Sequence, residues 1–134
     1  MQPLTEQQVY NNALFGMRGQ NYEPSRAGDA CLYRGPRGLK CAIGHSIPDD
    51  IYCPEMDRGV NDDLTAIGHF LKEFTFSSLC ELFQHVSGGL LKALQAAHDQ
   101  LSPFQSTAER KHQFEARMRQ IASYYHLEYS PPAG

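Results

Sequence analysis

Apolar positions near the start of the chain recur at helical spacing. Val9, Tyr10, Ala13, Leu14 and Met17 fall three and four residues apart, which predicts an amphipathic helix with one buried stripe. Thr5 and Gln8 occupy the N-cap and N3 positions of a capping box at its start, and Gly19 is the expected stop. Residues 20–30 are polar, include Pro24 and Gly28, and read as a loop.

From Cys31 the pattern changes to that of a strand pair. Gly35-Pro36-Arg37-Gly38 has the composition of a type I turn: Pro36 pre-sets φ, and Gly38 takes the left-handed position of a bulge. This turn sets a register in which Gly35 opposes Leu39, Arg34 opposes Lys40, Tyr33 opposes Cys41 and Cys31 opposes Ile43. Cys31, Tyr33, Cys41 and Ile43 then share the core face of a β-hairpin at about residues 31–43. A lone hairpin is marginal in water, so helices are expected to cover that face.

Helical patterns fill most of the remainder. Ser46 caps a short helix with Pro48 in its first turn, ended by Cys53-Pro54. Asn61 caps the next helix, whose stripe is Leu64, Ile67, Leu71 and Phe74, with Phe70 beside it. After the break at Thr75-Phe76-Ser77 come the stripes Leu79, Leu82, Phe83, Val86 and, past Ser87-Gly88-Gly89, Leu90, Leu94, Ala97, Leu101. Ser102-Pro103 ends that run. Ser106 and Glu109 form a second capping box, opening a last helix with Phe114, Met118, Ile121 and Tyr125 on one face. Tyr124, Tyr125 and Tyr129 offer an alternative third strand, and residues 130–134 read as a flexible tail. The expected fold is therefore α+β: a single domain over residues 1–134, with four main helices and one short helix packed on the hairpin.

Composition and charge narrow the function classes. A chain of 134 residues suffices for one core without staples. The formal net charge of -3 suits neither a DNA mimic nor a globally basic nucleic-acid binder. No apolar run approaches the roughly 20 residues of a membrane span, so no membrane association is expected. The N-terminal MQPLTEQQVY has no basic or apolar leader region, and the four cysteines read as reduced thiols of a cytoplasmic protein.

The stretch from Cys31 to Asp49 has the form Cys-x-Tyr-Arg-Gly-Pro-x-Gly-Leu-Lys-Cys-Ala-x-Gly-x-x-Ile-Pro-Asp, and Leu94-Gln95-Ala96-Ala97-His98-Asp99 follows later as Leu-Gln-x-x-His-Asp. In both respects the chain resembles a group of small phage- and prophage-encoded proteins for which no activity is known. The resemblance spans about two thirds of the chain. It implies a setting inside a bacterial host cell and implies no reaction or functional residue.

Candidate chemistry is sparse. Cys31, Cys41, His45 and Cys53 could ligate zinc, but their spacing lacks the close-paired knuckle of structural sites; buried thiols are the alternative. Cys41 as a nucleophile with His45 as its base would place the two roughly 13 Å apart on a strand at about 3.3 Å per residue. His98-Asp99 is similar to the metal-binding pair of HD phosphohydrolases, but the aspartate those need downstream is missing. No P-loop, GxGxxG or GxSxG element is present, so no cofactor is expected.

The remaining signal is polarised charge. Asp49, Asp50, Glu55, Asp57, Asp62 and Asp63 face only Arg58 in their segment, which makes it a candidate surface for a basic partner. Arg34, Arg37 and Lys40 decorate the expected hairpin, and Arg110, Lys111, Arg117 and Arg119 the last helix. The expected function is a non-enzymatic interaction protein that binds and modulates a host protein, in counter-defence or host takeover, through Arg34, Pro36, Arg37, Asp49, Asp50 and Asp57. The alternatives are a small metal-dependent or Cys/His enzyme, and a nucleic-acid-binding accessory protein.

Overall fold

The computed structural model describes residues 2–27, 30–57 and 77–132. The expected helix after Asn61, with Asp62, Asp63 and the stripe Leu64, Ile67, Phe70, Leu71 and Phe74, lies outside the described residues.

Helix α1 (Glu6–Gly19) starts at the Thr5 capping box, with both reciprocal bonds to Gln8 formed. Its whole predicted stripe is buried. Gly19 is the last helical residue, and the chain turns away at Asn21 and Tyr22, both with positive φ. The Tyr22 N–H returns to the Met17 carbonyl at 2.8 Å, a wrap that satisfies the helix end and swings Tyr22 inward.

The β-hairpin at about 31–43 does not form, and the α+β class is corrected to a mostly helical fold. Among the described residues, extended pairing is confined to the two-residue strands β1 (Arg26–Ala27) and β2 (Ala30–Cys31), plus an isolated bridge between Arg34 and Lys40. The reason is competition for backbone donors. The Tyr33 N–H, which a hairpin would direct to its partner strand, goes to the Asp57 carboxylate at 2.6 Å, and the Leu32 N–H goes to the Ser25 carbonyl at 3.1 Å. Beyond Cys41 the chain curls at once into a 3-10 turn, Gly44–Ser46. Gly44 lies so close to the Tyr33 carbonyl that a Cβ there would sit 2.2 Å from the oxygen. The turn at Pro36–Gly38 is also 3-10, with both Arg37 and Gly38 at positive φ. Cys31, Tyr33, Cys41 and Ile43 are buried by this coiled packing rather than by a sheet. The short helix expected after Ser46 is replaced by turns over 48–52.

Helix α2 (Ser77–Leu82) is followed by α3 (Gly88–Asp99), capped by the Ser87 hydroxyl on the Leu90 N–H at 3.1 Å. Helix α4 (Thr107–Tyr125) opens on the full Ser106–Glu109 capping box. Helix α3 packs on α4, and α1 packs on both α3 and the Gly44–Ser46 turn. The core joins the α1 stripe, Leu79, Leu82, Leu90, Leu94, Leu101, Phe114 and Met118 to the coiled segment. The Tyr10 hydroxyl, buried at its centre, donates to the Met118 carbonyl at 2.8 Å and ties α1 to α4.

Residues 127–132 add no strand, and Glu128 and Ser130 are bonded to α1. The Gln7 amide brackets Glu128, donating to its carbonyl at 3.0 Å and accepting its N–H at 2.9 Å. Arg18 donates to the Ser130 carbonyl at 2.6 Å. No helix among the described residues is long and apolar enough to cross a membrane.

Candidate functional site

Three groups of polar side chains compete for the role of site. The first is buried. Among the described residues, the side chains whose ligand atoms lie within 4.8 Å of one another are Cys31, His98 and Asp99, not the expected set of Cys31, Cys41, His45 and Cys53. Helix α3 brings in His98 and Asp99 at its last turn, and β2 brings Cys31. His98 is fully buried. Its Nε2 accepts the Ser25 backbone N–H at 2.8 Å, so its proton sits on Nδ1, 3.0 Å from Asp99 Oδ1. Gln95 Nε2 also donates to Asp99 Oδ1 at 2.9 Å, and the Cys31 sulfur lies within 4.8 Å of the same carboxylate. Arg26 holds the carbonyls of Asp99 and Leu101, closing the end of α3 with a cation where the dipole favours one.

Electrostatics keep this group inert. Burial pushes the Cys31 thiol up to about 12, reinforced by Asp99. Burial lowers the pKa of His98 despite the carboxylate beside it. Burial alone would raise Asp99, yet the hydrogen bonds from His98, Cys31 and Gln95 outweigh it and hold the carboxyl below its usual range. The result is a neutral imidazole, an ionised aspartate and a protonated thiol. A nucleophilic cysteine needs a base free to take its proton; here the imidazole carries its own proton on Nδ1 and its Nε2 already accepts the Ser25 N–H. A metal-ligating histidine presents a lone pair to the ion and donates its other N–H outward; here the outward nitrogen already meets a donor. The group does not fit a metal, and the HD-type reading of His98-Asp99 closes with it.

The other expected ligands lie outside this group. The Cys41 sulfur accepts the Gly44 N–H at 3.3 Å, and burial pushes its pKa upward. His45 packs its ring on Gly16 of α1, and burial lowers its pKa to about 4. Cys53 is half-buried.

The second group gathers the expected contact residues and turns two of them, Arg34 and Asp57, inward. Arg34 pairs with Asp49 at 2.6 Å, donates to the Ile47 carbonyl at 3.0 Å and lies over the Tyr52 ring. Asp57 is buried; it accepts from the backbone of Tyr33 and Arg34 and from the Tyr52 hydroxyl. Arg34, Asp49 and Asp57 thus organise the segment themselves. Pro36, Arg37, Asp49 and Asp50 stay exposed.

The third group went unread in the sequence. Glu115 of α4 is buried and accepts two bonds from Arg18 at 2.8 Å, one from Tyr22 at 2.9 Å and one from Tyr129 at 2.7 Å. Burial would raise its pKa, but these donors hold it below the usual carboxylate value. The hub locks α1, its C-terminal wrap and residues 127–132 onto α4. Arg110 is likewise interior, donating to the carbonyls of Gln105 and Asn21. Lys111, His112, Arg117 and Arg119 face solvent.

Beside this face stands Phe104, 96% exposed. It sits on a turn bonded throughout: the Phe104 N–H meets the Ser102 hydroxyl at 3.1 Å, the Ser102 N–H meets Gln105 Oε1 at 3.0 Å, and Gln105 Nε2 reaches Gln113 at 2.9 Å. Next to it, Gln105, Ala108, Glu109, His112 and Gln113 line a shallow depression of about 430 Å³. A lone Phe outside both neighbouring stripes, between the Ser102-Pro103 stop and the Ser106 cap, was the sequence signal for it.

Comparison with protein-family models, with curated proteins and with solved structures gives no match.

Proposed function

We propose that this chain is a small phage- or prophage-type binding protein of the bacterial cytoplasm. It docks on a host protein through the Phe104 turn and the adjoining face of α4, and it modulates that protein rather than carrying out a reaction. The single observation that supports this reading is Phe104: a large apolar side chain wholly in water on a turn held by its own hydrogen bonds. Burying a phenylalanine is worth about 1.5–3 kcal/mol. A preordered turn loses little further freedom on binding, and aromatic anchors of this kind commonly dominate interface energetics. The resemblance to phage-encoded proteins supports the setting. Against the enzyme alternative stands the bonding of Cys31, His98 and Asp99, which commits each group to the fold.

The test is site-specific photocrosslinking. A benzophenone-bearing phenylalanine at position 104, irradiated in bacterial lysate, is expected to join the chain to one host protein. The same group at the exposed Tyr124 serves as control. Equal labelling patterns from the two positions would remove the reading.

A further inference from the structure

The geometry points to a second binding site, which borders the first at Ala108 and His112: the cleft between α4 and residues 127–132, which takes an organic anion bearing two or more carboxylate or phosphate groups. The cleft has a volume of about 290 Å³ and is lined by Ala108, Lys111, His112, Glu115, Arg119 and Pro132. Positions 108, 111, 112, 115 and 119 recur three and four apart, so one stripe of α4 forms its floor. Its one acid among the described residues is already matched, because Glu115 is paired in bidentate fashion with Arg18 and hydrogen-bonded by Tyr22 and Tyr129.

The cations are not matched. Arg119 Nη1 donates to the Tyr129 hydroxyl at 3.3 Å, and its guanidinium lies 5.6 Å from that ring's centroid. Both contacts are to a neutral group, so Arg119 is oriented without being neutralised. Lys111 has no ion pair among the described residues. The two stand two helical turns apart, about 12 Å along the axis. That separation, bridged by two long side chains, suits a ligand with two anionic ends rather than a single small ion, and a guanidinium held in place is well suited to carboxylate or phosphate.

The test uses amide NMR spectra of the full chain, titrated with citrate at fixed ionic strength. Sodium chloride alone is the control, and a glutamate-rich peptide is the second probe. Citrate is expected to produce saturable shifts at residues 108–119 and 127–130. Lys111→Gln, which removes a side chain with no ion pair among the described residues, is expected to weaken citrate binding by about tenfold. Arg119→Gln weakens it as well, but also releases Tyr129, so Lys111→Gln decides. Tighter binding of the peptide than of citrate would assign the carboxylates to a polypeptide; the reverse would assign them to a free acid. Either supports the site. Shifts matched by sodium chloride, citrate binding unchanged in Lys111→Gln, or a DNA duplex displacing citrate with steep salt dependence would overturn it.

Discussion

The backbone N–H of Ser25 donates to Nε2 of His98 across 2.8 Å, between residues 73 positions apart in the chain. This bond fixes the tautomer of His98 and so decides what the Cys31–Asp99–His98 group does. It is a buried strut that fastens the coiled segment to the end of α3. His98→Leu should therefore cost about 3 kcal/mol, since the Ser25 N–H loses its acceptor and Asp99 a donor. Urea denaturation measures this. Zinc in excess should move the melting temperature by no more than about 1 °C, whereas a true site would raise it with concentration.

Two glycines of α1 predict effects of opposite sign. A Cβ at Gly16 would lie 2.3 Å from His45 Cγ, the fixed root of the ring, whereas at Gly19 it would meet nothing within 4 Å. Alanine gains about 1 kcal/mol over glycine in a helix, but overpacking costs about 1–3 kcal/mol. Gly16→Ala should lower the urea midpoint, and Gly19→Ala should raise it slightly.

The Glu115 hub carries the C-terminal segment. Glu115→Gln leaves the Arg18 guanidinium without its counter-charge and should destabilise by about 3 kcal/mol. Tyr129→Phe removes one donor and should cost about 1 kcal/mol. Both should speed hydrogen exchange at the Glu128 amide, which is bound to Gln7 from the same segment.

Stability should fall on mild acidification. In the unfolded chain His45 takes a proton as pH drops through 6.5, whereas in the folded protein burial delays this to about 4. Between those values the unfolded state holds more protons, so stability decreases as pH decreases. The depressed pKa of His98 acts in the same direction, and the depressed carboxyls of Glu115 and Asp99 extend the loss below the usual carboxylate range. Urea midpoints at pH 7.5, 5.5 and 4 should decline in order. His45→Phe, which keeps a ring against Gly16, should flatten the first interval.

What the sequence made legible was local. The α1 stripe, both capping boxes and the last-helix stripe depend on residues three and four apart, and each appears in the fold. The hairpin failed because its turn chemistry is local while its ladder is not. Asp57, 24 positions beyond Tyr33, takes the donor that the second strand required. The Glu115 hub depends on Arg18, 97 positions away, and no periodicity encodes such a pair. Arg34 and Asp49 read as partner contacts, and no periodicity encodes the ion pair that joins them. Phe104 was visible as an apolar residue outside every stripe, a pattern that marks a surface anchor only once the turn beneath it is known to be rigid.

The most direct test of the binding-protein account is the affinity of the crosslinked host protein, once purified, for wild-type chain and for Phe104→Ala. Phe104 is in solvent, so Phe104→Ala should leave the urea midpoint within about 0.5 kcal/mol of wild type while weakening binding by at least about thirtyfold, the equivalent of roughly 2 kcal/mol. Equal affinity in the two proteins, with folding intact, would contradict the account.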